Sequence, residues 1–147
     1  MFVSVRIARY AHYCYNCRLL KWGGANVVLK ALNRILFGND IAYQVDVPSS
    51  TRLPHQGLGL VIHPATRLGK NCIIHQNVTI GANGKSGYGK EAPNIGNNVM
   101  IGAGAVILGK IKIGDGAVIG ANAVVLTDIP ECAVAVGVPA KVKYIKK

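Results

Sequence analysis

Aliphatic residues recur at every sixth position through most of this chain. Positions 62, 68, 74 and 80 are Ile, Leu, Ile and Ile, and positions 95, 101, 107, 113, 119 and 125 are Ile, Ile, Ile, Ile, Ile and Val. Glycine follows directly at Gly69, Gly81, Gly96, Gly102, Gly114 and Gly120. Four positions beyond each aliphatic residue sits a small or β-branched one, as at Thr66, Cys72, Val78, Val99, Ala105, Ala117 and Ala123. A strand alternates with period two and a helix with period 3.6, so neither explains a period of six. A six-residue unit of one short strand and one corner does. Three such units close a triangular coil, and the coils stack as parallel strands with the aliphatic residues inside. Glycine and asparagine supply the positive φ that the corners need.

The phase extends upstream through Ile41, Val47 and Leu53, then slips by three residues around Gly57–Gly59. It breaks again between Ile80 and Ile95, where nine extra residues form a loop expected at 82–93. Insertions in solenoids commonly mark the functional face. Residues 1–39 follow a different pattern. Residues 3–21 mix apolar positions with Arg6, Arg9, Arg18 and Lys21, Gly23–Gly24 interrupts, and residues 25–37 place apolar residues at three- and four-residue spacing before Gly38. Two short helices are expected, with Gly38 as the stop of the second. The chain therefore reads as a helical segment, 1–39, and a mainly β unit, 40–147.

Composition narrows the partners. The 147 residues carry a net charge of +11, which favours anionic ligands. Aromatic residues are too sparse for base-stacking platforms, so no nucleic-acid partner is expected. Arg6 and Arg9 interrupt any secretory apolar core, and no apolar run reaches the ~18 residues of a membrane span. A cytoplasmic location is expected, with solvation favoured over peripheral membrane contact for the basic helices. Cys14, Cys17, Cys72 and Cys132 do not form a disulfide framework. Cys14 and Cys17, even with His12, offer fewer than the four ligands of a closed zinc site. They read as packed thiols, Cys72 reads as core, and no metal is expected.

The period resembles that of the hexapeptide-repeat proteins, which implies a left-handed parallel β-helix, an exception to right-handed crossovers. Longer strings are similar to the serine acetyltransferase-like acyltransferases: HQNVTIGANGKSG, then IGNNVMIGAGAVILGKIKIGDGAVIGANAVVLTDIP, VAVGVPAKV, and LNRILFGNDI where helix meets β-helix. The resemblance implies an acetyl-CoA-dependent O-acetyltransferase with a His–Asp dyad separated by fifteen positions. Asp40 and His55 have that separation. His55 is thus the candidate general base, taking the proton of an attacking hydroxyl. Asp40 is its candidate partner, fixing the tautomer and stabilising the imidazolium. His63 and His75 follow inward positions, point outward, and are read as surface or structural residues.

By the same resemblance, acetyl-CoA is the co-substrate and lies in a groove between neighbouring β-helices of a homotrimer. Gly84, Lys85, Gly102, Ala103, Ala105, Ala121 and Lys141 are its candidate contacts. Lys141, Lys143, Lys146 and Lys147 form a basic end suited to the CoA phosphates. Serine-specific members carry Arg-His-Pro at the loop end and Asp-His at the dyad. This chain has Glu91-Ala92-Pro93 and Pro54-His55 there, and a shorter N-terminal segment. Glu91 is expected to repel a serine carboxylate. The expected acceptor is therefore a sugar or polysaccharide-precursor hydroxyl, as in the short polysaccharide O-acetyltransferases. Serine O-acetylation and a non-catalytic β-helix scaffold are the alternatives. A zinc-dependent carbonic anhydrase is a lesser one, since His55, His63 and His75 lack its spacing.

Overall fold

The computed structural model describes Val3, Arg6, residues 24–84 and residues 91–145. Of the first expected helix only Val3 and Arg6 are among them, both helical; His12, Cys14 and Cys17 fall outside, as do Lys85, Lys146 and Lys147. The second helix, α1 (Gly24–Phe37), ends as its sequence requires. Gly38 adopts φ +61° and its N–H donates to Arg34 O at 2.9 Å, a left-handed cap that satisfies a last-turn carbonyl.

After α1 the chain winds as a left-handed parallel β-helix with three flat faces. The first face holds β1 (Asp40–Ile41), β2 (Val61–Ile62), β5 (Thr79–Gly81), β8 (Val106–Leu108) and β11 (Val124–Val125). The second holds β3 (Arg67–Leu68), β6 (Asn94–Ile95) and β9 (Lys112–Ile113). The third holds β4 (Ile73–Ile74), β7 (Met100–Ile101), β10 (Val118–Ile119), β12 (Ala133–Val136) and the antiparallel β13 (Lys141–Ile145). Isolated bridges continue the ladder from Arg52 to Ile73 and from Ile113 to Ile129. The chain visits the faces in the order first, second, third, so each coil has three corners.

The strand hydrogen bonds run between coils, while short bonds within a coil close some of its corners. Val61 N donates to Val78 O (2.9 Å), Thr79 N to Ala105 O (2.9 Å) and Val106 N to Ala123 O (2.8 Å). Each two-residue strand is too short to hold alone, and stacking gives it partners above and below. The six-residue register keeps one inward position per face in line. Ile74, Ile80, Ile101, Ile107, Ile113, Ile119 and Val125 are wholly buried, while Leu68 is half-buried against the same core. The small residues fill the inner corners, and Thr66, Cys72, Val78, Val99, Ala105, Ala117 and Ala123 are all buried. Burial raises the pKa of the Cys72 thiol. Asn71, Asn77, Asn98 and Asn122 take the left-handed corner positions with φ of 56–59°.

One corner is tied electrostatically. The Asp115 carboxylate accepts from Asn97 Nδ2 (3.0 Å) and Asn97 N (2.9 Å). These bonds, the side-chain one foremost, hold its carboxyl below the usual carboxylate range. A depressed value means that the ionised form favours the fold, and the contribution disappears as pH falls through that value.

Two outcomes follow. Ile107→Ala opens a cavity in the inward ladder and is expected to cost about 2–5 kcal/mol by urea denaturation, against under ~0.5 kcal/mol for the exposed Lys112→Ala. Asp115→Asn is expected to lower the thermal midpoint at neutral pH. Between wild type and variant, the gap in melting curves should then narrow as pH drops below about 4.

Candidate active site

The three-residue slip after Leu53 has a structural meaning. Arg52 pairs with Ile73, so Leu53 stacks over Ile74 and the two corners begin in step. Below, the corner passes through one left-handed residue per coil: Asn77, Gly104 and Asn122. Above, three residues in succession are left-handed: His55 (φ 54°), Gln56 (φ 58°) and Gly57 (φ 71°). They close a tight 3-10 turn, Pro54–Gly57, in which Leu58 N donates to His55 O at 3.2 Å. Leu58 O then accepts from Asn77 N at 2.8 Å, so Leu58 takes over the stack. The extra residues leave His55 outside the stack and exposed. A left-handed non-glycine residue costs about 1–2 kcal/mol, and such strain clusters at functional sites.

Buried amides hold this turn from above. Asn39 Nδ2 donates to Gln56 O at 3.1 Å, and Asn33 Nδ2 of α1 donates to Asn39 Oδ1 at 2.8 Å. Both asparagines are only 2% exposed. Gly59 N donates to Gly38 O (3.0 Å) and Asp40 N to Leu60 O (2.8 Å), which lays residues 38–40 over the residues that leave the turn, with Asp40 paired to Val61 at the start of the first face. The Asp40 carboxylate pairs with Lys30 Nζ at 2.8 Å and Arg34 Nη1 at 3.7 Å, and no hydrogen bond joins it to His55. A carboxylate accepts at about four positions, so these pairs leave capacity for an imidazole.

Beneath the turn, the corner between the third and first faces is a column of short residues. His75–Gln76–Asn77 lies above Gly102–Ala103–Gly104, which lies above Gly120–Ala121–Asn122. Gly104 N donates to Gln76 O (3.0 Å) and Asn122 N to Ala103 O (2.9 Å). A Cβ on Gly102 would lie 2.6 Å from Ala121 N, so only glycine lets the coils approach this closely. Lys141 pairs with Val136 at the end of β12, which brings it to the last coil of the same corner.

Other candidates fall elsewhere. Ala105 fills the inner side of this corner: its side chain is wholly buried, its N–H donates to Gly102 O and its carbonyl accepts from Thr79 N. Gly84 (φ +73°) opens the inserted loop at the far edge of the first face, between that face and the second, with open space where a Cβ would be. His63 lies on that second corner, where its Nδ1 accepts from Ala65 N at 3.2 Å in a local turn.

The sequence reading missed Gln76. Its Oε1 is buried without a hydrogen-bond partner, midway between the His55 turn and Ala103. The signal was present, because Gln76, Ala103 and Ala121 each follow an inward isoleucine of the third face by two residues.

Residues 92–127 match the family described as bacterial transferase hexapeptide (six repeats). The serine acetyltransferase of Synechococcus elongatus is 40% identical over 136 residues, covering 92% of this chain and 54% of the relative. The solved serine acetyltransferase of Brucella abortus in complex with coenzyme A superposes with a TM-score of 0.88 at 32% identity, covering 97% of this chain and 55% of that one. The soybean serine acetyltransferase complexed with serine gives 0.85 at 36% identity, covering 95% and 55%. This chain thus spans a little over half the length of these relatives.

The matches overturn the expectation of a sugar or polysaccharide hydroxyl as acceptor, because these relatives are serine acetyltransferases. The physical argument behind that expectation also weakens. Glu91 Oε1 lies 3.5 Å from Lys110 Nζ, so the carboxylate thought to repel serine has a cation beside it. The coil geometry, the family match and the relatives together place this chain in the hexapeptide-repeat acyltransferase family.

Proposed function

We propose that this chain transfers an acetyl group from acetyl-CoA to the hydroxyl of L-serine at the corner built around His55. The observation that carries this reading is the similarity to serine acetyltransferases across 92% of the chain, which takes in the His55 turn and the column beneath it.

In this reading a neutral His55 imidazole accepts the serine hydroxyl proton as the oxygen attacks the thioester carbonyl. Asp40 orients the ring and stabilises the imidazolium that forms. Collapse of the tetrahedral intermediate expels the CoA thiolate, which takes up the proton held on His55. The small residues Gly102, Ala103 and Ala121 let the pantetheine arm lie against the backbone. Lys141 with Lys143 faces its phosphates.

A homotrimer fits the outer surface. The outward row of the first face is Asp40, Val61, Thr79, Val106 and Val124, and that of the third is Arg52, Ile73, Met100, Val118 and Val134. The second face carries Arg67, Asn94 and Lys112. The two more apolar faces meet at the His55 corner. The inserted loop leaves from the far edge of the first face, so a neighbour's loop is better placed to reach this corner than the chain's own.

The test is thiol release from acetyl-CoA with and without L-serine. Release is expected to require serine and to fall by about 10²–10⁴-fold in His55→Ala. Full activity in that variant, or no dependence on serine, would overturn the reading. Asn39→Ala unsatisfies the buried amide that holds the turn. It is expected to cost about 1–3 kcal/mol in stability by urea denaturation and to lower kcat more than it raises KM for acetyl-CoA.

A further inference from the structure

We infer that Lys30 of α1 is a positioning residue for acetyl transfer: it fixes the Asp40 carboxylate by one oxygen and so presets the other for the His55 ring. The inference rests on the reading of Asp40 and His55 as the acid–base pair. Lys30 Nζ lies 2.8 Å from Asp40 Oδ1, the distance of a charge-assisted hydrogen bond. Arg34 Nη1 lies 3.7 Å from Oδ2, too far for a hydrogen bond, and supplies charge alone. Among the described residues, then, the two carboxylate oxygens are not equivalent. Oδ1 is committed to Lys30, and Oδ2 keeps its capacity to accept an N–H.

Stability alone is a weak reason for this pair. Holding a long lysine side chain in one rotamer is entropically costly, and ion pairs near the surface return little. The contact is nevertheless shielded, with the Lys30 and Asp40 side chains only 34% and 33% exposed. It is also rigid at both ends. α1 is seated through buried Asn33, whose Nδ2 donates to Asn39 Oδ1, and Asn39 Nδ2 donates in turn to Gln56 O of the His55 turn. Asp40 follows Asn39 directly, and its backbone is tied by the bond from its N to Leu60 O and by pairing with Val61. Lys30 and Asn33 stand three residues apart, on one face of the helix. That face grips the backbone of the His55 turn through Asn33 and the side chain of Asp40 through Lys30. Both members of the pair are thereby referenced to one rigid element, as a preorganised site requires. A carboxylate already fixed through Oδ1 has less to reorganise when an imidazole N–H meets Oδ2.

The experiment measures kcat, and KM for acetyl-CoA and L-serine, in Lys30→Met, Lys30→Arg, Asp40→Ala and the Lys30→Met/Asp40→Ala double variant, with urea denaturation of each. Lys30→Met is expected to lower kcat by about tenfold while both KM values stay within about twofold. Lys30→Arg keeps a cation and its donors and is expected to recover most of that loss. In the Asp40→Ala background, Lys30→Met is expected to change kcat by less than about twofold, because the group it positions is gone. Wild-type kcat in Lys30→Met overturns the proposal. The same fall in both backgrounds also overturns it, as does a fall that follows lost urea stability and is not recovered by Lys30→Arg. These outcomes leave the acetyl-transfer reading standing so long as the wild-type chain releases thiol with serine and His55→Ala does not. A wild-type chain with no serine-dependent release, or release that survives His55→Ala, overturns that reading and the positioning role with it.

Discussion

Everything in this molecule depends on keeping one inward aliphatic residue per face in vertical register. A two-residue strand has no stability of its own, and burial of Ile74 on Ile101 on Ile119, repeated on the other faces, supplies what the strands lack. The constraint is strict because each coil contributes so little. A displaced residue on one face would turn the next corner and misplace the other two faces. Extra residues are therefore tolerated only where they leave the stack and return to it. The chain does this twice, at the 3-10 turn of His55 and at the loop opened by Gly84, and both departures border the first face.

Those departures connect fold to chemistry. A side chain that points into the stack cannot reach a substrate. By handing the stack to Leu58, the turn releases His55 while its backbone stays clamped by Asn39 and, through it, by Asn33 of α1. Three consecutive left-handed residues would not persist without such clamping. The helix thus acts as a brace for the turn, and this explains why a buried polar pair sits where an apolar contact would otherwise serve.

The coil architecture was legible in the sequence because its cause is periodic: one residue class in one phase dictates strand, corner and core together. Ala105 shows how far that logic reaches. Its phase assigned it to the inner corner, and its side chain is wholly buried there. The His55 turn was not legible beyond the slip itself, since a count of extra residues says nothing of their φ. The Asn33–Asn39 bond and the Lys30–Asp40 pair were hidden for another reason. They join a helix of period 3.6 to a coil of period six, and no single pattern relates the two. Glu91 was weighed as a lone carboxylate because Lys110 is distant in sequence and adjacent in the fold.

The end of the coil stack carries its own consequence. β13 runs antiparallel along the free edge of β12, while Ala140 N donates to Val124 O and Val124 N to Gly137 O on the first face. A parallel solenoid left bare at its last coil presents unpaired backbone groups that would template the addition of another chain. A strand of reversed polarity consumes those groups and offers the wrong direction for continuation, and exposed Lys141 and Lys143 add like charge to the same edge. The third face is thereby closed to the addition of another parallel strand at that end.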